Sequence, residues 1–161
     1  MTRFAEAPRR LAPIAIAALI VVAAGCGSSD DKETPAACLA PSGTYLQALE
    51  AAPGPVRLEG ETPISDCLVS SQGGGQLQTV GGTLVVTATK LNAEARRDPA
   101  GAAALQLGYL MGAVSKGADL IHTDLVRRLN AAAQFSESGG TLPLSFQRAF
   151  TRGYAAGRQS G

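Results

Sequence analysis

Tryptophan is absent from this 161-residue chain, and other aromatic residues are few, with four Phe and three Tyr. Proteins that bind bases, and many that bind sugars, stack them on aromatic rings, so the sequence offers no evident platform for either ligand. The formal net charge of +1 is also too small to attract a polyanion. We therefore expect no nucleic-acid partner.

Histidine is almost as scarce, because His122 is the single copy. A histidine-based zinc site or a hydrolase triad would have to be built around this one residue. His122 lies three and four residues before the apolar Leu125 and Val126, and Asp119 lies one turn earlier. A histidine packed near a helix start and hydrogen-bonded to Asp119 explains this pattern.

The glycine-rich stretches at 73–75 and 81–82 lack the Lys and Ser/Thr that accompany a phosphate-binding loop. The sequence therefore predicts no catalytic residue, no metal ligand, no cofactor and no enzymatic activity. A hydrolase centred on His122 is the least favoured alternative.

Long apolar runs are also missing. A helix that spans a bilayer needs about 20 apolar residues, and no run in this sequence is that long. The nearest case is the segment 14–24, which follows Arg9 and Arg10 and ends just before Cys26. Basic residues, a short apolar stretch and small residues before a cysteine are typical of an export signal that ends at a lipid-modified cysteine.

This segment resembles the signal of bacterial lipoproteins, with Ala23-Ala24-Gly25-Cys26 in the place of the lipobox. It departs from that pattern at Ala23, where Leu is the common residue. The resemblance implies cleavage after residue 25, a thioether-linked diacylglycerol on Cys26, and often an acyl chain such as palmitate on the new amino terminus. It predicts an exported protein held by lipid at the outer face of the bacterial cell membrane.

Cleavage after residue 25 would leave 136 of the 161 residues, enough for one domain with a hydrophobic core. Residues 26–37 are polar and acidic, so we expect a flexible tether there, followed by a single domain over 38–161. Cys38 and Cys67 remain as an even pair in an oxidising compartment, and this predicts a disulfide between them. It would staple a proline-rich segment that lacks regular periodicity.

The domain is predicted to be all-α, a small bundle of about four main helices with an irregular N-terminal part. A short first helix is expected around Leu46 and Leu49, capped by Thr44. Residues 76–97 are ambiguous, because Thr- and Val-rich stretches flank a glycine pair as in a β-hairpin. Apolar residues at three- and four-residue steps favour one helix instead: Leu77, Val80, Leu84, Ala88, Leu91 and Ala95.

Three further helices have clearer signals. The next is expected to be capped by Asp98, with Pro99 at its first position and an apolar stripe of Ala103, Leu107, Leu110, Met111 and Val114. Asp119 caps another, with Ile121, Leu125, Leu129 and Ala132 as its buried stripe. Leu142-Pro143 starts the last, with Phe146, Ala149, Phe150 and Tyr154 on its apolar side. Two G-x-x-x-G pairs, Gly108 with Gly112 and Gly153 with Gly157, predict close helix packing in water.

These features predict a non-catalytic interaction or binding module on the cell envelope. Its expected partners are the membrane, through the lipid on Cys26, and an envelope protein or a small apolar ligand. The alternative is a carrier or sensor of a small apolar or lipid molecule, with a cavity among Leu107, Leu110, Met111, Phe146 and Phe150.

Overall fold

The computed structural model describes residues 33–135 and 141–161, and these residues form an all-helical bundle. Its α-helices are α1 (Ser42–Leu49), α2 (Gly74–Arg97), α3 (Ala102–Gly117), α4 (Thr123–Ala132) and α5 (Leu144–Ser160). Short 3-10 helices cover Ala36–Leu39, Ile64–Cys67 and Leu120–His122. The predicted all-α class is confirmed. Within the described ranges no helix combines the length and apolarity needed to cross a bilayer.

Residues 76–97 lie within the single long helix α2, which settles the choice between helix and hairpin. Five of the six apolar residues in its predicted stripe are buried, and Leu77 is partly buried. The threonines that suggested strands instead bond to their own helix: Thr87 Oγ1 donates to the Thr83 carbonyl and Thr89 Oγ1 to the Val85 carbonyl, both at 2.8 Å. Such bonds let threonine satisfy its hydroxyl inside a helix.

The start of α3 differs from the prediction. Asp98 does not cap this helix; it follows the last residue of α2, and α3 begins after Gly101. The Asp98 carbonyl oxygen accepts a hydrogen bond from the Gly101 N–H at 3.1 Å, and the Asp98 side-chain Oδ1 accepts one from the Ala100 N–H at 3.2 Å. Asp, Pro and Gly at the first, second and fourth positions are typical of a type I turn, so this tetrapeptide reverses the chain between two helices.

Helix α1 begins two residues earlier than its predicted cap. The Thr44 N–H already bonds to the Pro41 carbonyl at 3.0 Å, so Thr44 lies inside the helix and Pro41 precedes it. Tyr45 and Leu49 are the fully buried residues of α1, and Leu46 is only partly buried.

Cys38 and Cys67 form the predicted disulfide, with their Cα atoms 5.3 Å apart. The Tyr45 hydroxyl lies beside it and donates to the Cys38 carbonyl at 2.8 Å. Burial raises the pKa of Tyr45, because the phenolate would lose its hydration there. The cross-link therefore lies in the packed interior.

The packed part of the chain begins before Cys38, which corrects the predicted end of the tether at residue 37. Thr34 and Ala37 are both 6% exposed. The Thr34 hydroxyl accepts from Gln72 Nε2 at 2.9 Å and donates to Gln76 Oε1 at 3.2 Å, so side-chain hydrogen bonds order this stretch against the start of α2.

Helices α3 and α5 run parallel in backbone contact. The main chain of α5 covers Gly108 and Gly112, and a Cβ on either would overlap the carbonyl oxygen of Phe150 or Tyr154. The contact is reciprocal, because a Cβ on Gly153 or Gly157 would overlap the Leu105 or Tyr109 carbonyl. Gly108 meets Phe150 and Gly112 meets Tyr154, so the numbers of the contacting residues rise together along the two helices, which are therefore parallel. The predicted close packing of the two glycine pairs is confirmed, and the glycines lie against each other's helices.

Candidate functional site

A cleft of about 370 Å³ opens between α3, α4 and α5. Its apolar lining residues are Met111, Val114, Ala118 and Val126. Its polar lining residues are Ser115, Asp119, Thr123, Asn130 and Tyr154. This volume and mixture are typical of small-ligand sites, in which an apolar floor carries a few orienting polar groups.

The parallel packing of α3 and α5 creates one wall of the cleft. Because the glycines bring the two backbones together, Tyr154 of α5 reaches across to α3, where its hydroxyl donates to Ser115 Oγ at 3.0 Å. Arg158 Nη1 donates to the same oxygen at 2.9 Å. The Ser115 hydroxyl is thus held by two polar side chains, and the guanidinium places a positive charge next to the cleft.

An aromatic row leads along α5 to the cleft. Phe146, Phe150 and Tyr154 are stacked in succession, with ring centroids 5.7 and 6.3 Å apart, and Phe135 packs against Phe146 at 4.5 Å. Phe146 is buried, whereas Phe150 is half-buried and Tyr154 is 36% exposed. From Phe146 to Tyr154 the row becomes steadily more accessible toward the cleft.

The turn between α3 and α4 forms the rim of the cleft. Asp119 Oδ1 accepts the Ile121 N–H at 3.1 Å, and the Asp119 N–H donates to His122 Nδ1 at 3.2 Å. This is a capping box in which histidine replaces the usual Glu or Gln. The predicted hydrogen bond between Asp119 and His122 is confirmed. Asp119 caps the 3-10 turn, however, and α4 itself begins after His122.

His122 is completely buried. Its Nδ1 also lies 2.8 Å from Asp119 Oδ1, so this nitrogen accepts the main-chain N–H in one protonation state and donates to the carboxylate in the other. Nε2 meets no hydrogen-bonding partner among the described residues. Since the imidazole has no exposed surface, a substrate in the cleft could reach it only if the turn moved. The ring orders the turn in this conformation.

Leu120 and Ile121 point outward from the same turn, with 92% and 44% of their surface exposed. The exposure of Ile121 corrects its predicted place in the buried stripe of α4; Leu125 and Leu129 are buried as predicted, and Ala132 is partly buried. The reason is the 3-10 geometry of Leu120–His122, which turns His122 rather than Ile121 toward the core. Periodicity of an ideal α-helix does not describe this turn.

The five residues proposed for a carrier cavity are mostly part of the core. Leu107 and Leu110 are fully buried and Phe146 is 4% exposed, so these side chains are filling the bundle. Met111 alone of the five lines the cleft described above. The sequence therefore identified apolar side chains correctly but not the position of the opening, which depends on how α4 and α5 diverge over α3.

Cys26 and the rest of the lipobox-like segment lie outside the described residues. Among the described residues no group of three or more His, Cys, Asp and Glu side chains is arranged to hold a metal ion. No protein-family model, curated protein or solved structure matches this chain.

Proposed function

We propose that this chain is a lipid-anchored cell-envelope protein whose helical domain binds a protein or small ligand in the cleft between α3, α4 and α5, without catalysis. The cleft is the observation that carries the binding role. It offers an apolar floor around Met111 and Val114, and it offers hydrogen-bonding groups at Ser115 and Asn130.

Two features support the location. The segment ending at Cys26 has the order of parts found in lipoprotein signals. Independently, the Cys38–Cys67 disulfide suits a chain that folds outside the reducing cytoplasm, where such cross-links persist. Both point to an exported domain.

The burial of His122 supports a non-catalytic role. A general base must come within about 3 Å of the proton that it removes. The imidazole of His122 has no exposed surface, and its Nδ1 is engaged by Asp119. Stabilising the turn accounts for its position and burial.

A carrier or sensor of a small apolar molecule is the second candidate. The observation that favours it is the cleft volume, about 370 Å³, which lies at the small end of the range for ligand pockets, roughly 300–1,000 Å³. An apolar ligand would contact Met111 and Val126 and leave the polar rim to water. A protein partner would instead engage the rim as well as the floor.

Fractionation of cells tests the anchor. We expect Cys26→Ser to move the protein from the membrane pellet to the soluble fraction, because the acyl chains supply the membrane affinity. Cys67→Ser is the matched control, since it replaces a cysteine that carries no lipid and should leave the protein in the pellet. Retention of the Cys26→Ser protein in the pellet after a high-salt wash would contradict the anchor.

A filled cleft tests the binding role. Asn130 is exposed on the cleft wall, and Asn130→Trp should block the cleft and abolish complementation of a deletion strain while thermal stability stays within about 0.5 kcal/mol of wild type. Arg128→Trp, two residues earlier on the same helix and also exposed, is the control and should complement fully. Full complementation by Asn130→Trp would refute a role for the cleft.

A further inference from the structure

The exposed turn at Leu120 and Ile121 lies at the end of the bundle from which the chain leads back toward Cys26. Glu33, the first described residue, lines a second cleft together with Lys116 and Asp119, so the chain enters the domain beside this turn. From Cys26 to Glu33 there are seven residue steps of at most ~3.6 Å, about 25 Å in total. A lipid on Cys26 would therefore keep this end of the domain near the bilayer.

Several polar main-chain atoms of the turn are already bonded within the protein. The Leu120 carbonyl accepts from the Thr123 hydroxyl at 2.8 Å and from the Thr123 N–H. The Ile121 N–H donates to Asp119 Oδ1. Transferring a main-chain group out of water is costly when it loses its hydrogen bond, and these two groups keep theirs if the two aliphatic side chains leave water.

Charge does not draw this surface to anionic lipid. Three acids, Glu33, Asp66 and Asp119, line the adjoining cleft against one base, Lys116, and the Asp124 carboxylate next to the turn is paired with Arg127. The turn also lacks the Trp, Tyr and Arg side chains that dominate protein-binding hot spots, in which Leu is under-represented. The two exposed aliphatic side chains therefore suit an apolar phase better than a protein partner.

We propose that Leu120 and Ile121 insert into the interface of the bilayer that holds the lipid anchor, as a second and reversible membrane contact. This inference rests on the proposed anchor at Cys26. The contact fixes the orientation of the bundle, with Leu120 toward the membrane and the start of α5, about 25 Å away along a 17-residue helix, toward the outside. Because it is apolar, it forms on zwitterionic lipid and is unaffected by salt.

The absence of tryptophan gives a direct measurement. Leu120→Trp places the only indole of the chain on the turn, and Leu144→Trp places it at a 66% exposed aliphatic position at the other end of the bundle. The lipidated full-length protein is reconstituted in phosphatidylcholine vesicles that contain brominated lipid. We expect strong quenching and a blue shift for Leu120→Trp only, unchanged at high salt. Adding Ile121→Ser to the Leu120→Trp protein should lower the affinity of the turn for the membrane about tenfold.

A second tether separates this inference from the proposed anchor. The Cys26→Ser chain with Leu120→Trp, carrying a histidine tag inserted after residue 26, is held on phosphatidylcholine vesicles by a nickel-chelating lipid. If mass spectrometry of the wild-type protein shows no lipid on Cys26, the proposed anchor fails. Quenching of the nickel-tethered Cys26→Ser chain still measures insertion of the turn in that case. Equal quenching of the two indoles, or none, overturns the inference. Burial of the Leu120→Trp indole by an envelope protein without quenching by brominated lipid also overturns it, and assigns the turn to that partner.

Discussion

Replacing Gly112 by alanine tests the backbone contact between α3 and α5 most directly. The new Cβ would overlap the Tyr154 carbonyl oxygen, which belongs to the main chain and cannot rotate away. The two helices would have to separate by roughly 1 Å, and a gap of that size forfeits a quarter to a half of each dispersion contact that it opens. Overpacking of this kind costs about 1–3 kcal/mol, and we expect the upper end.

Alanine also favours the helix over glycine by about 1 kcal/mol, so the net loss for Gly112→Ala should be about 2 kcal/mol. Gly82→Ala is the matched control. Gly82 lies inside α2, and a Cβ added there would meet no atom within 4 Å, so the same substitution should stabilise the protein by about 1 kcal/mol. The two variants then differ by about 3 kcal/mol although the chemical change is identical.

Thermal and urea denaturation followed by circular dichroism measure both variants, in the Cys26→Ser background to avoid detergent. For a chain of this size we expect Tm to fall by about 8 °C for Gly112→Ala and to rise by about 4 °C for Gly82→Ala. If Gly112→Ala is as stable as Gly82→Ala, the two helices do not touch through their backbones, and the packing described above is wrong.

Three further changes test other contacts by the same denaturation assays. Cys38→Ser should lower the free energy of unfolding by about 3–4 kcal/mol, because it opens a loop with a sequence separation of 29. Reduction of the wild-type disulfide should cost the same, and an unchanged urea midpoint would contradict a stabilising cross-link. Tyr109→Phe should cost about 1–3 kcal/mol, since it leaves the buried Val56 N–H without its 3.0 Å acceptor; a loss near zero would mean that water replaces the hydroxyl. His122→Gln should cost on the order of 1 kcal/mol with complementation retained, and a stable but inactive variant would overturn the non-catalytic proposal.

The sequence predicted the helices well because their buried stripes are regular. The apolar stripe of α3, from Ala103 to Val114, is buried as expected, and the three- and four-residue spacing in α2 outweighed its strand-like Thr and Val content. The disulfide followed from counting cysteines once Cys26 was assigned to lipid. In each case local spacing or composition carried enough information.

Tertiary arrangement was less predictable. The glycine pairs indicated close packing, but only the structure shows that they face each other across parallel helices. The exposure of Ile121 depends on a local 3-10 turn, and the turn from Asp98 to Gly101 was mistaken for a helix cap because Asp-Pro suits both. The cleft could not be predicted, because it is the space left where neighbouring helices diverge.

The contact between α3 and α5 also restricts how this protein can change in evolution. Where two side chains collide, a later substitution that shortens one of them restores the fit. At Gly112 the opposing group is a carbonyl oxygen, which every amino acid carries, so no replacement of Tyr154 can make room. Gly108, Gly153 and Gly157 face the same condition. A larger residue at any of these four positions has no compensating partner, and only reversion restores the original contact.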